Sequence, residues 1–285
     1  MKVKSYMNPS KILPPRTNPF AHWSRHIIEA MSLPFALFIS VPLLILVSSV
    51  PISQILGQIG APEVIQAIMI SLKTTSISLI LTIAFGTPLA YLMAKHQFPL
   101  KRVLDAIIDL PTVLPPLVAG VALLLTFGRN GFIGSWLARI GINVAFTQAA
   151  VVMAQLFIAT PFYIRAASLG FSTIDPELEQ ACQLDGANRW QTFIHLTFPL
   201  SRQALISGGV MSWARSLGEF GATIMFAGNY PGRTQTMPLA VYLGFEMDIH
   251  QALTLSVILV GLSFLSLLAI KWILFQPIQV LTSSK

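Results

Sequence analysis

The chain has 285 residues, 54% of them hydrophobic and only 10% charged, where soluble domains carry about a quarter charged. Together with a mean hydropathy of +0.71, this excludes an ordinary water-soluble domain and reads as an integral membrane protein. The net charge of +7 does not mark a nucleic-acid binder, because the 18 Lys and Arg are scattered between apolar runs without a basic stripe or interleaved aromatics. A single cysteine, Cys182, excludes an intrachain disulfide, and the five histidines show no ligand spacing, so no metal site is expected.

Residues 1–29 contain Pro9, Pro14, Pro15 and Pro19 and are expected to form a disordered cytoplasmic tail. They are too many and too polar for a signal-peptide n-region, and no small-x-small site follows the first apolar run, so that run is read as a retained helix. A spanning helix needs about 20 apolar residues. Six such stretches are predicted, at about 30–50, 66–94, 109–128, 147–170, 203–228 and 251–273, within a six-span domain of residues 30–274, followed by a tail of residues 275–285. The runs do not alternate, which argues against a barrel. The expected class is an all-α bundle of six transmembrane helices, kinked where Pro34, Pro42, Pro88, Pro111, Pro115, Pro116 and Pro161 fall. With the N-terminus inside, twelve Lys and Arg lie on inner segments, and only Arg129, Arg139 and Arg233 on outer ones. This places both termini in the cytoplasm.

The inner segment 171–202 is longer than topology requires. Asp175 is an N-cap, Pro176 takes the first helical position, and acids fill the first turn; Gly186 then fits a helix stop. A second short helix is predicted from about Asn188 to Leu196, ended by Pro199. A helical element of this kind docks into a partner's groove or lies on the membrane surface.

Gln180-Ala181-Cys182, Gly186 and Leu196-Thr197-Phe198-Pro199 keep the spacing of the Glu-Ala-Ala loop of ABC-importer permeases, with Gln180 in place of the Glu and Cys182 in place of the second Ala. Further segments resemble the oxyanion branch of that family, specifically its molybdate/tungstate permeases, with sulfate permeases as relatives. They are Gly86-Thr87-Pro88-Leu89-Ala90-Tyr91, residues 109–120, Ser216-Leu217-Gly218-Glu219-Phe220-Gly221-Ala222-Thr223 and Asn229-Tyr230-Pro231-Gly232-Arg233-Thr234-Gln235-Thr236. The resemblance implies a type I importer permease in a bacterial plasma membrane. It implies a second permease copy as partner, two ATPase subunits, and a periplasmic or lipoprotein substrate-binding protein. ATP and magnesium would sit on the ATPase and no cofactor on this chain, which has no Walker A sequence. Leu178, Glu179, Gln180, Ala181, Cys182, Asp185, Gly186, Ala187, Arg189 and Trp190 would form the coupling helix that seats on the ATPase. The alternative is a helix packed on its own bundle.

Arg215 and Glu219 are the deepest charges, roughly 15–25 Å along the fifth span, and four residues apart they share a face. They form either a structural ion pair or part of a pathway with Ser212, Ser216 and Thr223. Lys73 is expected to snorkel, Asp109 and Arg165 to pair or face water, and residues 237–245 to form an interfacial helix or a binding-protein contact. An intramembrane enzyme would need a deep nucleophile that the chain lacks. An ATP-independent channel would leave residues 180–199 unexplained.

Overall fold

The computed structural model describes residues 19–275. Of the tails expected at 1–29 and 275–285, residues 1–18 and 276–285 lie outside that range. Every element among the described residues is helical. The chain divides into two units after Ser49. The described part of the first is helix α1 (Pro19–Ser48), which passes through Pro34 and Pro42 and begins eleven residues before the predicted span. Its hydroxyls fold back on its own carbonyls, as Ser40 does on Ala36 and Ser49 on Ile45, which spares them exposure to lipid.

The second unit is built on three long helices: α3 (Pro62–Lys95), which follows the short α2 (Ile52–Gln58), then α7 (Gln148–Ser172) and α10 (Phe198–Leu217). A buried stripe of Ser71, Thr74, Thr75, Ser78 and Thr82 runs along α3. Gln155 donates to Thr75, Thr82 meets Thr160, and Thr87 meets the Tyr163 hydroxyl at 2.6 Å. Lys73 reaches Gln148 at one end of this seam and Lys95 reaches the Ile174 carbonyl at the other, so α3 and α7 run parallel. α10 runs antiparallel to α7, brought close by small residues: a Cβ on Gly208 would lie 2.8 Å from that of Ala166, and one on Gly170 would collide with Ala204. Such contacts replace the hydrophobic drive that is missing in lipid.

The chain between α3 and α7 therefore travels once from the Lys95 end to the Lys73 end. It does so as α4 (Lys101–Val113) and α5 (Pro116–Phe127), which meet at 115°, followed by α6 (Gly134–Arg139). The span predicted over 109–128, kinked at its prolines, is thus two helices bent sharply at Leu114-Pro115. Leu114 and Pro115 are both extended (ψ 137 and 130), because each precedes a proline whose ring excludes the helical region. The fifth predicted span, 203–228, is likewise broken. α10 stops at Gly218, and a short α11 (Gly221–Ala227) resumes after Phe220. The two half-helices α5 and α11 pack on each other. A Cβ on Gly120 would lie 2.7 Å from the Ala222 carbonyl, and one on Gly221 2.8 Å from the Pro116 Cβ.

α12 (Met237–Met247) and α13 (Ile249–Phe275) complete the unit. The helix predicted at 237–245 packs one face inward and leaves Tyr242 and Phe245 exposed on the other. Met237, Leu239, Ala240 and Gly244 are buried, and the Met237 N–H donates to Ser71 at 2.7 Å. The loop before it is folded rather than open: the amides of Arg233, Thr234 and Gln235 all converge on the Tyr230 carbonyl. Four helices among the described residues are long and apolar enough to cross a membrane, five if α4 and α5 count as one broken span.

Candidate functional site

The 171–202 segment folds as its caps dictate. The Asp175 carboxylate accepts the Glu177 N–H, and α8 (Pro176–Leu184) follows with Pro176 in its first turn. The helix ends in a Schellman motif: Gly186 takes φ +93, its N–H reaches the Gln183 carbonyl, and the Ala187 N–H reaches that of Cys182. Asn188 and Gln191 then form a reciprocal capping box at the start of α9 (Arg189–Thr192).

Here the structure departs from the prediction. The second helix does not end at Pro199. α9 passes through a π-helical turn at Phe193–Thr197 directly into α10. Pro199 can donate no hydrogen bond, and its ring would crowd the carbonyl four residues back. The wider turn, in which the Phe198 N–H reaches back five residues to Phe193, accommodates it. Helical backbone is thus continuous from Arg189 to Leu217.

α8 buries none of its nine residues. Leu184 is 88% exposed, Trp190 68% and Leu178 49%, a set of large apolar side chains on an otherwise polar element. Gln180, Ala181, Asp185, Gly186 and Arg189 are also exposed, and Cys182 and Ala187 are half-buried. Between α8 and the π-turn lies an open cleft of about 430 Å³, lined in part by Cys182, Gly186, Ala187 and His195. Glu179 faces the other way. Its Oε1 lies 3.2 Å from Lys95 Nζ and accepts a hydrogen bond of 2.9 Å from the Thr197 hydroxyl. Behind Trp190, which stacks on Phe193, an aromatic cluster of Phe193, Tyr91, Phe171 and Phe198 ties the loop to the ends of α3 and α7. Lys95, Thr197 and Tyr91 were not anticipated from the sequence. Lys95 could have been singled out as a lone cation at a helix end.

The deep charges form one joint. Arg215 Nη1 lies 2.9 Å from Glu219 Oε2, while Glu219 Oε1 accepts the Ala222 N–H at 2.9 Å and so caps α11. Glu219 is 1% exposed and Arg215 32%. Ser212 spends its hydroxyl on the Ala159 carbonyl, Ser216 is buried, and the buried Thr223 hydroxyl has no partner among the described residues. Of the five residues grouped as a pathway, Arg215 alone presents appreciable surface within this chain. Nearer the loop, Arg165 pairs with Asp109 as expected and also with Asp105, clamping α4 to α7.

The family described as "Binding-protein-dependent transport system inner membrane component" matches residues 86–274, which takes in the end of α3, both broken helices, α7 and the loop. The chain belongs to this family. The permease is 41% identical over 211 residues to the molybdenum transport system permease protein ModB of Escherichia coli K12, covering 73% of this chain and 92% of that one. It is 39% identical over 220 residues to the probable transport system permease protein NifC of Clostridium pasteurianum, covering 77% of each. It is 35% identical over 210 residues to the sulfate transport system permease protein CysT of E. coli K12, covering 73% of this chain and 76% of that one. Among solved structures, a bacterial ABC transporter involved in the import of the acidic polysaccharide alginate superposes with a TM-score of 0.71 at 14% identity, covering 89% of this chain and 94% of that one. That likeness establishes the fold of the permease.

Proposed function

We infer that this permease forms, with a second copy of itself, the membrane pathway of an ATP-driven importer for molybdate or tungstate. The observation that carries the reading is the identity of about two in five residues, over nearly the whole length of ModB, to a protein named for molybdenum transport. The exposed Leu178 and Leu184 on α8, with the exposed Trp190 on α9 beyond the turn, support docking of residues 178–190 onto a separate ATPase. A substrate-binding protein would deliver the dianion from the other face. Six crossings with both ends inside, in a bacterial inner membrane, agree with the parallel run of α3 and α7 and with the single traverse of residues 96–147 between them. Arg215, neutralised on one side by Glu219, offers a weak attraction to a dianion, and weak binding suits a conduit that must release its cargo.

Sulfate is the second reading, favoured by the CysT likeness. The test is ATP hydrolysis in proteoliposomes holding the permease with its ATPase and binding protein. Stimulation by molybdate and tungstate but not sulfate is expected; stimulation by sulfate alone would overturn the choice of ion.

A further inference from the structure

α8 has no buried side chain, yet a docking helix that moves without moving the bundle would waste the ATPase stroke. Among the described residues, the ion pair that ties α8 to a spanning helix distant in sequence is Lys95–Glu179. Lys95 is the last residue of α3, and its side chain is only 12% exposed. Its ammonium bridges two elements at once: Glu179 on α8 at 3.2 Å and the Ile174 carbonyl in the link from α7 at 3.1 Å. The same Glu179 oxygen receives Thr197, a fully buried residue of the π-turn. One cation and one carboxylate thus join the ends of α3 and α7, the docking helix and the root of α10. A cation also suits the negative end of the α3 dipole, and shielding from water strengthens the pair.

We propose that Lys95 is a positioning residue that keeps α8 in register with α3, so that displacement of the loop is delivered to the α3–α7 seam. This rests on the reading of residues 178–190 as the ATPase-docking helix. The loop can seat on an ATPase without Lys95, and the Tyr91–Phe193 contact still holds the root of α10 to α3; what goes with Lys95 is the ion pair that holds α8 itself to α3.

The experiment uses the complete importer in proteoliposomes, with wild type, Lys95→Met, Lys95→Gln and Lys95→Arg. Three quantities are read: ATPase retained on purification, ATP hydrolysed, and molybdate taken up per ATP. Lys95→Met is expected to retain the ATPase and hydrolyse ATP while uptake per ATP falls at least about fivefold, the scale of a lost coupling energy. Lys95→Arg keeps the cation and its donors and should stay within about twofold of wild type. Unchanged uptake per ATP in Lys95→Met overturns the proposal. So does loss of ATPase retention in step with uptake, which would make Lys95 part of the docking surface only. Should Lys95→Met fail to insert, Lys95→Gln, which keeps a donor for Ile174, carries the same comparison. Failure of the wild-type chain to retain any ATPase would instead refute the docking reading itself.

Discussion

Three glycines show how differently one residue type can be constrained. Gly186 sits at φ +93 with open space where a Cβ would go, so the cost of Gly186→Ala is the left-handed backbone alone, about 1 kcal/mol. Its expected result is a weakened hold on the ATPase with normal insertion, measured by co-purification; Gly186→Glu, which adds bulk and charge to the docking face, should disassemble the complex. Gly120 is the opposite case, with ordinary space denied by the Ala222 backbone and the Met225 Cβ. Gly120→Val should lower stability by roughly 1–3 kcal/mol through overpacking, whereas a methyl on Gly261, inside α13 with no neighbour within 4 Å, should raise it by up to about 1 kcal/mol. Melting of the purified permease distinguishes the two. Glu219 serves both as counter-charge and as helix cap. Glu219→Ala removes both roles and is expected to cost about 3 kcal/mol, the lower end for breaking a buried pair because Arg215 keeps some contact with water. Glu219→Gln preserves the cap and should cost less in the same melts.

At the level of elements, the caps were legible, the break at Leu114-Pro115 was legible as a kink, and the break at Gly218-Glu219-Phe220 was not. Asp175, Pro176 and Gly186 announced α8 because they act on their nearest neighbours, and the structure puts the ends where those residues require. The apolar stretches at 109–128 and 203–228 were legible as material for a membrane but not as two pieces each, since apolarity reports where a segment resides and is silent about its continuity. The break at Leu114-Pro115 had its cause in plain view in paired prolines; that at Gly218-Glu219-Phe220 depends on a side-chain cap folded back onto the chain. The Lys95–Glu179 pair was invisible for a related reason: its partners are distant in sequence and meet only because α3 and α7 run parallel. Pro199 misled by its usual habit of ending helices, which the π-turn overrides. A π-turn is one residue more than an α-helix needs. Deleting Ile194 should therefore rotate α10 against the loop by about 100°, and abolish uptake while leaving the chain inserted, as uptake and membrane-fraction assays would show.

For the whole molecule, the proposed orientation assigns each connection to a side. With Cys182 replaced by Ser, single cysteines at Lys101 and Asp185 should react with an impermeant maleimide only from the cytoplasmic face, and those at Gly141 and Arg233 only from the opposite face; labelling of Lys101 and Gly141 from the same face would make α4 and α5 a re-entrant hairpin. The unbroken backbone from Arg189 to Leu217 has a consequence of scale. At about 1.5 Å per residue it is a shaft some 40 Å long, with the loop proposed to dock on the ATPase at one end and the Arg215–Glu219 joint at the other. Pivoted near its root, such a shaft is a lever arm: a tilt of about 10° sweeps its far tip through about 7 Å over that length, more than the width of a tetrahedral oxyanion. If the proposed pathway runs past the Arg215–Glu219 joint, a small rocking of the loop would be enough to open or shut it, and α11, separated from the shaft by its own joint, need not follow the swing.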